Sequence, residues 1–594
     1  MHFARFWSHF FTARVLPAGL CLLLSGCLAQ AAPGPAAVLT PAGARPLTAA
    51  VLPPPPVPSL TPFQPQTATL RPTETLIPTL TPTPQAEWVW FSPPVPPGLK
   101  SAVISKKPLI MATDAQVATV WVGPRQDLPE GWQAVSETAW VYALAVSFPG
   151  LLDEVSLSEL KSCWRGACGA RLTGKTLFLD ETTLSAFESL WGAKSGSLVT
   201  VLPADQILVK AWQTPGSLAL LPFEALEPRW KVLQIEGLSP WQKGLDLAKY
   251  PLVVPFVAAV PSSTADRGTA PLALPAANRD PTRLTVLVMT GVTALVRATA
   301  AKMVEKGIDF PGRDIAGWLG EGDLIHISNE ASFAENCPKP DPFSTSMRFC
   351  SQPEHIALLE HLGVQIVELT GNHLMDWGVE ALNLTLDMYA QRGWQTFGGG
   401  RNRAASRQAA LVEDHGNHLA FLGCNIAGPP QDWAGEDTPG SANCADDYNW
   451  LLEQVKELRR EGYLPIVDIQ YYEDYSTRPV FHMQDDFRKM VDAGAVLVHG
   501  TQAHSPKGME FYQGGFIHYG LGNLFFDQMN VYVNDTRIDG TRDEFIDRHI
   551  FYDGNYIGTE LLTARLEDYA RPRPMNAAER ENFLRQMFLA SGWK

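Results

Sequence analysis

Cysteine, basic charge and long apolar runs are all scarce in this 594-residue chain. Eight cysteines with no Cys-x-x-Cys spacing exclude zinc ribbons and thioredoxin chemistry. Forty-seven Lys and Arg against 62 Asp and Glu leave a net charge of -15, and no basic stripe is present. That balance argues against a nucleic-acid partner. No repeat at the period of a solenoid or propeller is visible. The apolar stretch Val15 to Leu24 is too short for an ordinary membrane-spanning helix. What remains is ordinary globular material, 45% hydrophobic, too long for one compact core. Two or three domains are expected.

The start of the chain predicts export. Arg5 and Arg14 precede Val15 to Leu24, which ends in Leu24-Ser25-Gly26-Cys27. A basic region before a short apolar one makes a secretory signal. Leu-Ser-Gly-Cys resembles the bacterial lipobox, which implies cleavage before Cys27 and lipidation of its thiol; the alternative is a plain signal peptide cut near Ala29 to Ala32. From about Pro33 to Pro84 the chain is mainly Pro, Thr, Ala and Leu, an extended spacer suited to lifting the rest off a membrane. The expected organisation is a signal at 1–26 and a linker at 27–86. Setting aside Cys21 and Cys27, six cysteines remain as near neighbours: Cys163 with Cys168, Cys337 with Cys350, Cys424 with Cys444. An even number in an exported protein favours disulfides, although six allow fifteen pairings.

Residues 87–264 alternate short apolar runs (Val141 to Val146, Leu198 to Leu202, Val253 to Val260) with polar helical stretches, an α/β pattern. The stretches Leu218 to Glu224, Trp230 to Leu233 and Tyr250 to Pro255 resemble periplasmic solute-binding proteins, which implies a binding module. A linker at 265–283 leads to a second domain, 284–575. There strands at Leu284 to Thr290, Leu324 to Ser328, Ile366 to Leu369, Leu419 to Cys424, Leu464 to Gln470 and Val496 to Gly500 alternate with helical stretches, predicting a largely parallel sheet covered on both faces.

Polar residues gather just after those strands. Thr290-Gly291-Val292, Asn329-Glu330, Asn372-His373, Gln470-Tyr471-Tyr472-Glu473 and His499 to His504 follow five of them. Open α/β sheets place their chemistry at such ends, so these groups are expected to share one rim and one pocket. Asn offers a neutral oxygen ligand, and His binds metal or transfers a proton near neutral pH.

The order of motifs resembles the CapA family of capsule-synthesis proteins, built on the calcineurin-like metallophosphoesterase fold. The matching pieces are Asp323 to Glu330, Thr370-Gly-Asn-His373 with Asp376-Trp-Gly378, Gly398 to Gly400, Asp492 to Ala495, Gly500 to His504 and Ile517 to Asp527. The resemblance implies an α-β-β-α sandwich behind the smaller α/β domain. It also implies one or two divalent ions (Mn, Fe, Zn or Mg), a metal-bound water as nucleophile and a His that protonates the leaving group. Carried over by position, His373 becomes the acid, Asn372 a catalytic ligand, and Glu330, His504 and Glu473 further ligands. Gln470, Tyr472, Gln502 and His518 become candidate substrate contacts.

Three departures stand out. Val292 occupies the place of a metal-binding Asp, Gln470 that of a His, and Gly500-Thr-Gln-Ala-His504 keeps one His of two. Two functions follow. One is a surface-anchored enzyme of envelope-polymer synthesis or processing, such as poly-γ-glutamate; the other is a non-catalytic polymer-binding subunit that positions the polymer for its membrane synthase.

Overall fold

The computed structural model describes residues 86–195, 197–265 and 272–593. The expected signal, Cys27 and all but the last residue of the Pro/Thr-rich linker lie outside them. Residues from Pro84 onward form one compact unit.

The first sheet is organised on one long strand, Trp132–Ser147, whose second half is buried throughout. Nine residues of Val253–Pro261 and four of Leu218–Pro222 pair with it antiparallel. Parallel strands extend both sides: Val120–Pro124 with Glu87–Phe91, and Leu177–Leu179 with Val199–Val201. The helices Leu157–Trp164, Glu181–Trp191 and Ala204–Gln213 cover this sheet. Ser156 and Glu159 start the first of these with a reciprocal capping box, which satisfies two otherwise unpaired backbone N–H groups.

Two further sheets follow, where the alternation of strands and helices had predicted one. The first runs Gln395–Phe397, Ile366–Glu368, Leu324–Asn329, Leu284–Thr290, Asp543–Tyr552, Asn555–Glu567, Arg571–Pro574. Its first four strands are parallel and the rest antiparallel. The second runs Ala410–Asp414, Asn417–Asn425, Leu464–Gln470, Leu497–Thr501, Gly515–His518, Met509–Tyr512. One core joins their inner faces, with Leu287, Met289, Ile366 and Phe545 meeting Phe421, Ile466, Leu497 and Phe516. A second core packs Arg297–Lys306, Ile356–His361 and Gly378–Gln391 on the outside of the first sheet. A third packs Asn449–Arg460 and Phe481–Ala493 on the outside of the second. The layer order is helix, sheet, sheet, helix.

The layer between these sheets is not purely apolar. His326, Glu368, Asp468, His499, His518, Asp547 and His549 are all at least 99% buried. Their neighbours are rings of that core: Phe397 beside His326, Phe545 beside His518, Phe516 beside His549.

The final helix, Ala577–Ala590, starts on a capping box of Asn576 and Glu579. It joins the two parts of the unit. Arg580 donates twice to Asp153 at 2.9 Å, and Trp593 packs on Phe148, Trp212 and Phe511. Disulfides link Cys163–Cys168, Cys337–Cys350 and Cys424–Cys444.

Candidate active site at the sheet rim

The polar strand ends come from both sheets, yet they meet. Gln470, ending a strand of the second sheet, donates to Asn372 Oδ1 (3.2 Å) beyond the third strand of the first. Thr501 donates to Gln470 Oε1 (2.7 Å) and lies 3.5 Å from Thr370. Such closeness needs bare backbone. A side chain at Gly371 would stand 2.8 Å from the Glu330 Cα, and one at Gly291 only 2.1 Å from the Gly522 carbonyl oxygen.

Glu330 is the focus. It is 2% exposed, and neither carboxylate oxygen has a hydrogen-bond partner among the described residues. His504 Nε2 faces it at 3.8 Å. The His504 ring is held from behind, its Nδ1 lying 2.9 Å from Asn523 Oδ1, and Asn523 in turn donates to the His504 and Thr541 carbonyls. Gln502 (φ 75°) and His504 (φ 52°) both adopt left-handed backbone, which costs a non-glycine residue about 1 kcal/mol or more and clusters at functional loops.

Across the rim, His373 Nδ1 is 2.7 Å from Asp376 Oδ2, and the same oxygen accepts from the Phe349 N–H. Burial works against a charged imidazole here. The Asp376 hydrogen bond and the charges of Glu330, Asp376 and Asp432 outweigh it, and the His373 pKa lies above its usual value. Burial pushes Asp432, which accepts from the Met375 N–H, up to about 7.

The other residues expected at the site divide. Gln470 and Gln502 are buried and hydrogen-bonded to one another, so they build the pocket floor. Tyr472 is 57% exposed at the mouth. Glu473 is exposed and accepts from the Tyr475 hydroxyl. Burial and the charges of Glu473 and Glu330 hold that phenol well above its ordinary pKa, so it stays protonated. The loop bearing these residues is pinned by buried Lys507, which donates to Asp474 and Ser476 carbonyls at 2.7 and 2.6 Å. His518 departs from expectation. It is fully enclosed between the sheets, 2.6 Å from Asp547, because strand alternation turns it inward; a substrate at the rim does not reach it. Val292 is embedded in a short strand between Leu324–Asn329 and Asn523–Phe525.

Three participants were missed by the sequence reading. Arg297 is sandwiched between Phe349 (4.8 Å) and Phe526 (5.1 Å) and paired with Asp527; Phe349 lies 4.3 Å from His373, Phe526 5.2 Å from His504. Nothing in the local pattern separates it from a surface arginine. Asp376 orients His373, and its i,i+3 spacing was the available signal. Asp432 comes from a distant loop, with no signal. Beside Phe349 a cavity of about 230 Å³ is lined by Arg297, Lys339, Arg348 and Trp377.

A buried, unpartnered carboxylate beside an imidazole fits one cation, with the side-chain oxygen of Asn372, which accepts from Gln470, as a neutral third donor. Val292, Gln470 and Gln502 supply no charged ligand for a second.

Fold and rim together define a layered α/β protein with a polar site at its strand ends. Residues 286–528 match the family described as bacterial capsule synthesis protein PGA_cap. The chain is 24% identical over 262 residues to a capsule biosynthesis protein CapA of Bacillus anthracis, covering 43% of this chain and 62% of the relative. It is 28% identical over 231 residues to a probable polyglutamine synthesis accessory protein of Mycobacterium tuberculosis, covering 36% and 59%. The second part of the chain is thus similar to capsule-synthesis proteins and spans about six tenths of the length of these relatives. Among solved structures, a 5'-nucleotidase precursor of Thermus thermophilus aligns at 13% identity and TM-score 0.27, covering 52% of this chain and 58% of that one. A phosphate transport receptor of Vibrio cholerae aligns at 16% and 0.23, covering 25% and 70%. Scores this low define no common fold.

Proposed function

We propose that this chain is an exported, lipid-anchored accessory protein of capsule or poly-γ-glutamate-type polymer synthesis, whose rim site cleaves or transfers the polymer. The layer order agrees with the metallophosphoesterase sandwich that the motif resemblance implies. The carrying observation is the unpartnered Glu330 carboxylate facing His504, across from an Asp376-oriented His373. A divalent ion held by Glu330, His504 and Asn372 would supply Lewis acidity and an activated water at that point.

The chain's own residues do the rest. Asp376 accepts a hydrogen bond from His373 Nδ1–H, which leaves the Nε2–H of the charged ring to deliver a proton to a departing group. The raised pKa keeps that proton available near neutral pH. Arg297 and the Lys339/Arg348-lined cavity offer positive charge to carboxylates of the polymer in an otherwise acidic protein. Cys27 is the lipid attachment, and the membrane synthase the natural partner.

The test is turnover of γ-linked glutamate oligomers by the full mature chain with added Mn²⁺. Loss of turnover in His373→Ala, with oligomer binding kept, supports the enzyme. The second reading, a polymer-binding subunit, draws on Val292 and Gln470 standing where ligands are expected; binding without turnover in the parent protein would establish it.

A further inference from the structure

Between the sheets, well inside the rim, His499, Asp547 and His549 each bring one potential ligand atom to within 4.8 Å of the other two. All three are fully buried. His499 Nε2 and His549 Nε2 lie 3.0 Å apart. His549 Nδ1 lies 2.7 Å from the Thr559 hydroxyl, and His499 Nδ1 faces Asp468 Oδ1 at 3.3 Å without an aligned hydrogen bond. The Nε2 atoms of the two rings are thereby turned toward one another and toward Asp547. Asp547 repeats the pattern. Its Oδ2 is 2.6 Å from His518 Nδ1, and its Oδ1 is buried with no partner. A carboxylate oxygen shut away from water without a partner is unfavourable.

We infer that His499 Nε2, His549 Nε2 and Asp547 Oδ1 form a buried binding site for a zinc-class divalent cation, separate from the rim. Two imidazoles and one carboxylate suit Zn²⁺ or Co²⁺. Each ligand is backed by a group that fixes its orientation: Asp468 behind His499, Thr559 behind His549, His518 behind Asp547. Ligating imidazoles and carboxylates in metal sites carry such support as a rule. Tyr556 extends it, its hydroxyl lying 2.5 Å from Thr559 Oγ1. An Nε2–H on either ring donated to the other answers the imidazole–imidazole contact but leaves Asp547 Oδ1 without a partner. One cation answers both. Enclosed as it is, the ion would bind the two sheets together, since His499 belongs to one and Asp547 and His549 to the other.

The test loads the full mature chain with Zn²⁺ or Co²⁺, dialyses it, and measures metal by elemental mass spectrometry and Co²⁺ by visible absorption. The chain carries Glu330→Gln and His504→Ala, which remove the rim donors without touching the core. About one equivalent retained, with the d–d bands of a low-coordinate Co²⁺ site, is expected. Loss of both signals on adding His549→Gln or the isosteric Asp547→Asn is expected too. If one core variant fails to fold, the other decides, because each removes one donor of this group and leaves the neighbouring His326, Glu368 and Asp468 in place. A folded rim variant that holds no metal and shows no Co²⁺ bands overturns the site and leaves a proton as the occupant. The outcome is independent of whether the rim turns over polymer.

Discussion

The rim and the interior of the sandwich use the same residue types to opposite ends. At the rim, ionisable groups gather at the strand ends, and one of them, Glu330, has no hydrogen-bond partner among the described residues. In the interior they are many and largely engage one another: Asp468 stands 3.1 Å from His326 and 3.3 Å from His499, and Asp547 2.6 Å from His518. Burial favours a neutral Asp468, but the two imidazoles outweigh it and hold its pKa low; Glu368, buried beside that charge, is pushed well above its usual range and stays protonated. What separates the two regions is their place in the fold, strand ends against the layer between the sheets, and not the inventory of side chains or an unanswered valence, since Asp547 Oδ1 is as unpartnered as Glu330.

Four experiments sharpen or break that contrast. His373→Ala should lower turnover by about 10²–10⁴-fold, as removal of a general acid does, while unfolding in denaturant is unchanged. Asp468→Ala should do the reverse, destabilising the fold by about 3–5 kcal/mol because it removes the buried carboxylate that faces both His326 and His499. A loss of turnover in the second variant larger than its loss of folded protein would erase the division between the two regions. Asp432→Asn acts on the boundary. With its folded pKa near 7, above the unfolded value, Asp432 stabilises most at low pH and loses that contribution as pH rises through 7. The Asn variant should therefore match the parent at pH 4 and exceed it at pH 8 by about 1–3 kcal/mol in chemical unfolding.

The smallest effect is expected of Asp376→Asn. His373 is raised, so its charged form stabilises the fold below the ordinary histidine value and that contribution fades as pH climbs through the raised one. Without the Asp376 carboxylate the ring should titrate at lower pH by NMR, and the alkaline limb of the rate profile should move down with it. An unshifted ring would assign the elevation to Glu330 and Asp432 instead.

Much of the second part was legible because its parallel strands are continuous apolar runs. Leu284–Thr290 and Leu464–Gln470 fall where the pattern put them. The gathering of Asn372, Gln470, Glu330 and His504 was legible for the same reason, since each follows such a run. The remaining half of the first sheet was not. Asp543–Tyr552 reads Asp-Glu-Phe-Ile-Asp-Arg-His-Ile-Phe-Tyr, as charged as a surface strand, yet its eight central residues are buried. Pairing explains it: Arg548 reaches Glu560 (2.9 Å), Asp547 meets His518, and His549 meets His499. Periodicity records polarity, and these partners come from strands that no local window contains. The single sheet expected from alternation became two because a strand's partner is likewise set by tertiary packing.

The last helix has a consequence for the order of assembly. Asp153 and Arg580 are 427 positions apart, and the aromatic face around Phe148 is closed by Trp593, one residue from the end. The early sheet therefore keeps an uncovered aromatic flank until the helix Ala577–Ala590 has been made. Closing so long a loop is slow. A variant without residues 575–593 is left with an unfinished seam rather than a trimmed protein, and loses cooperative unfolding.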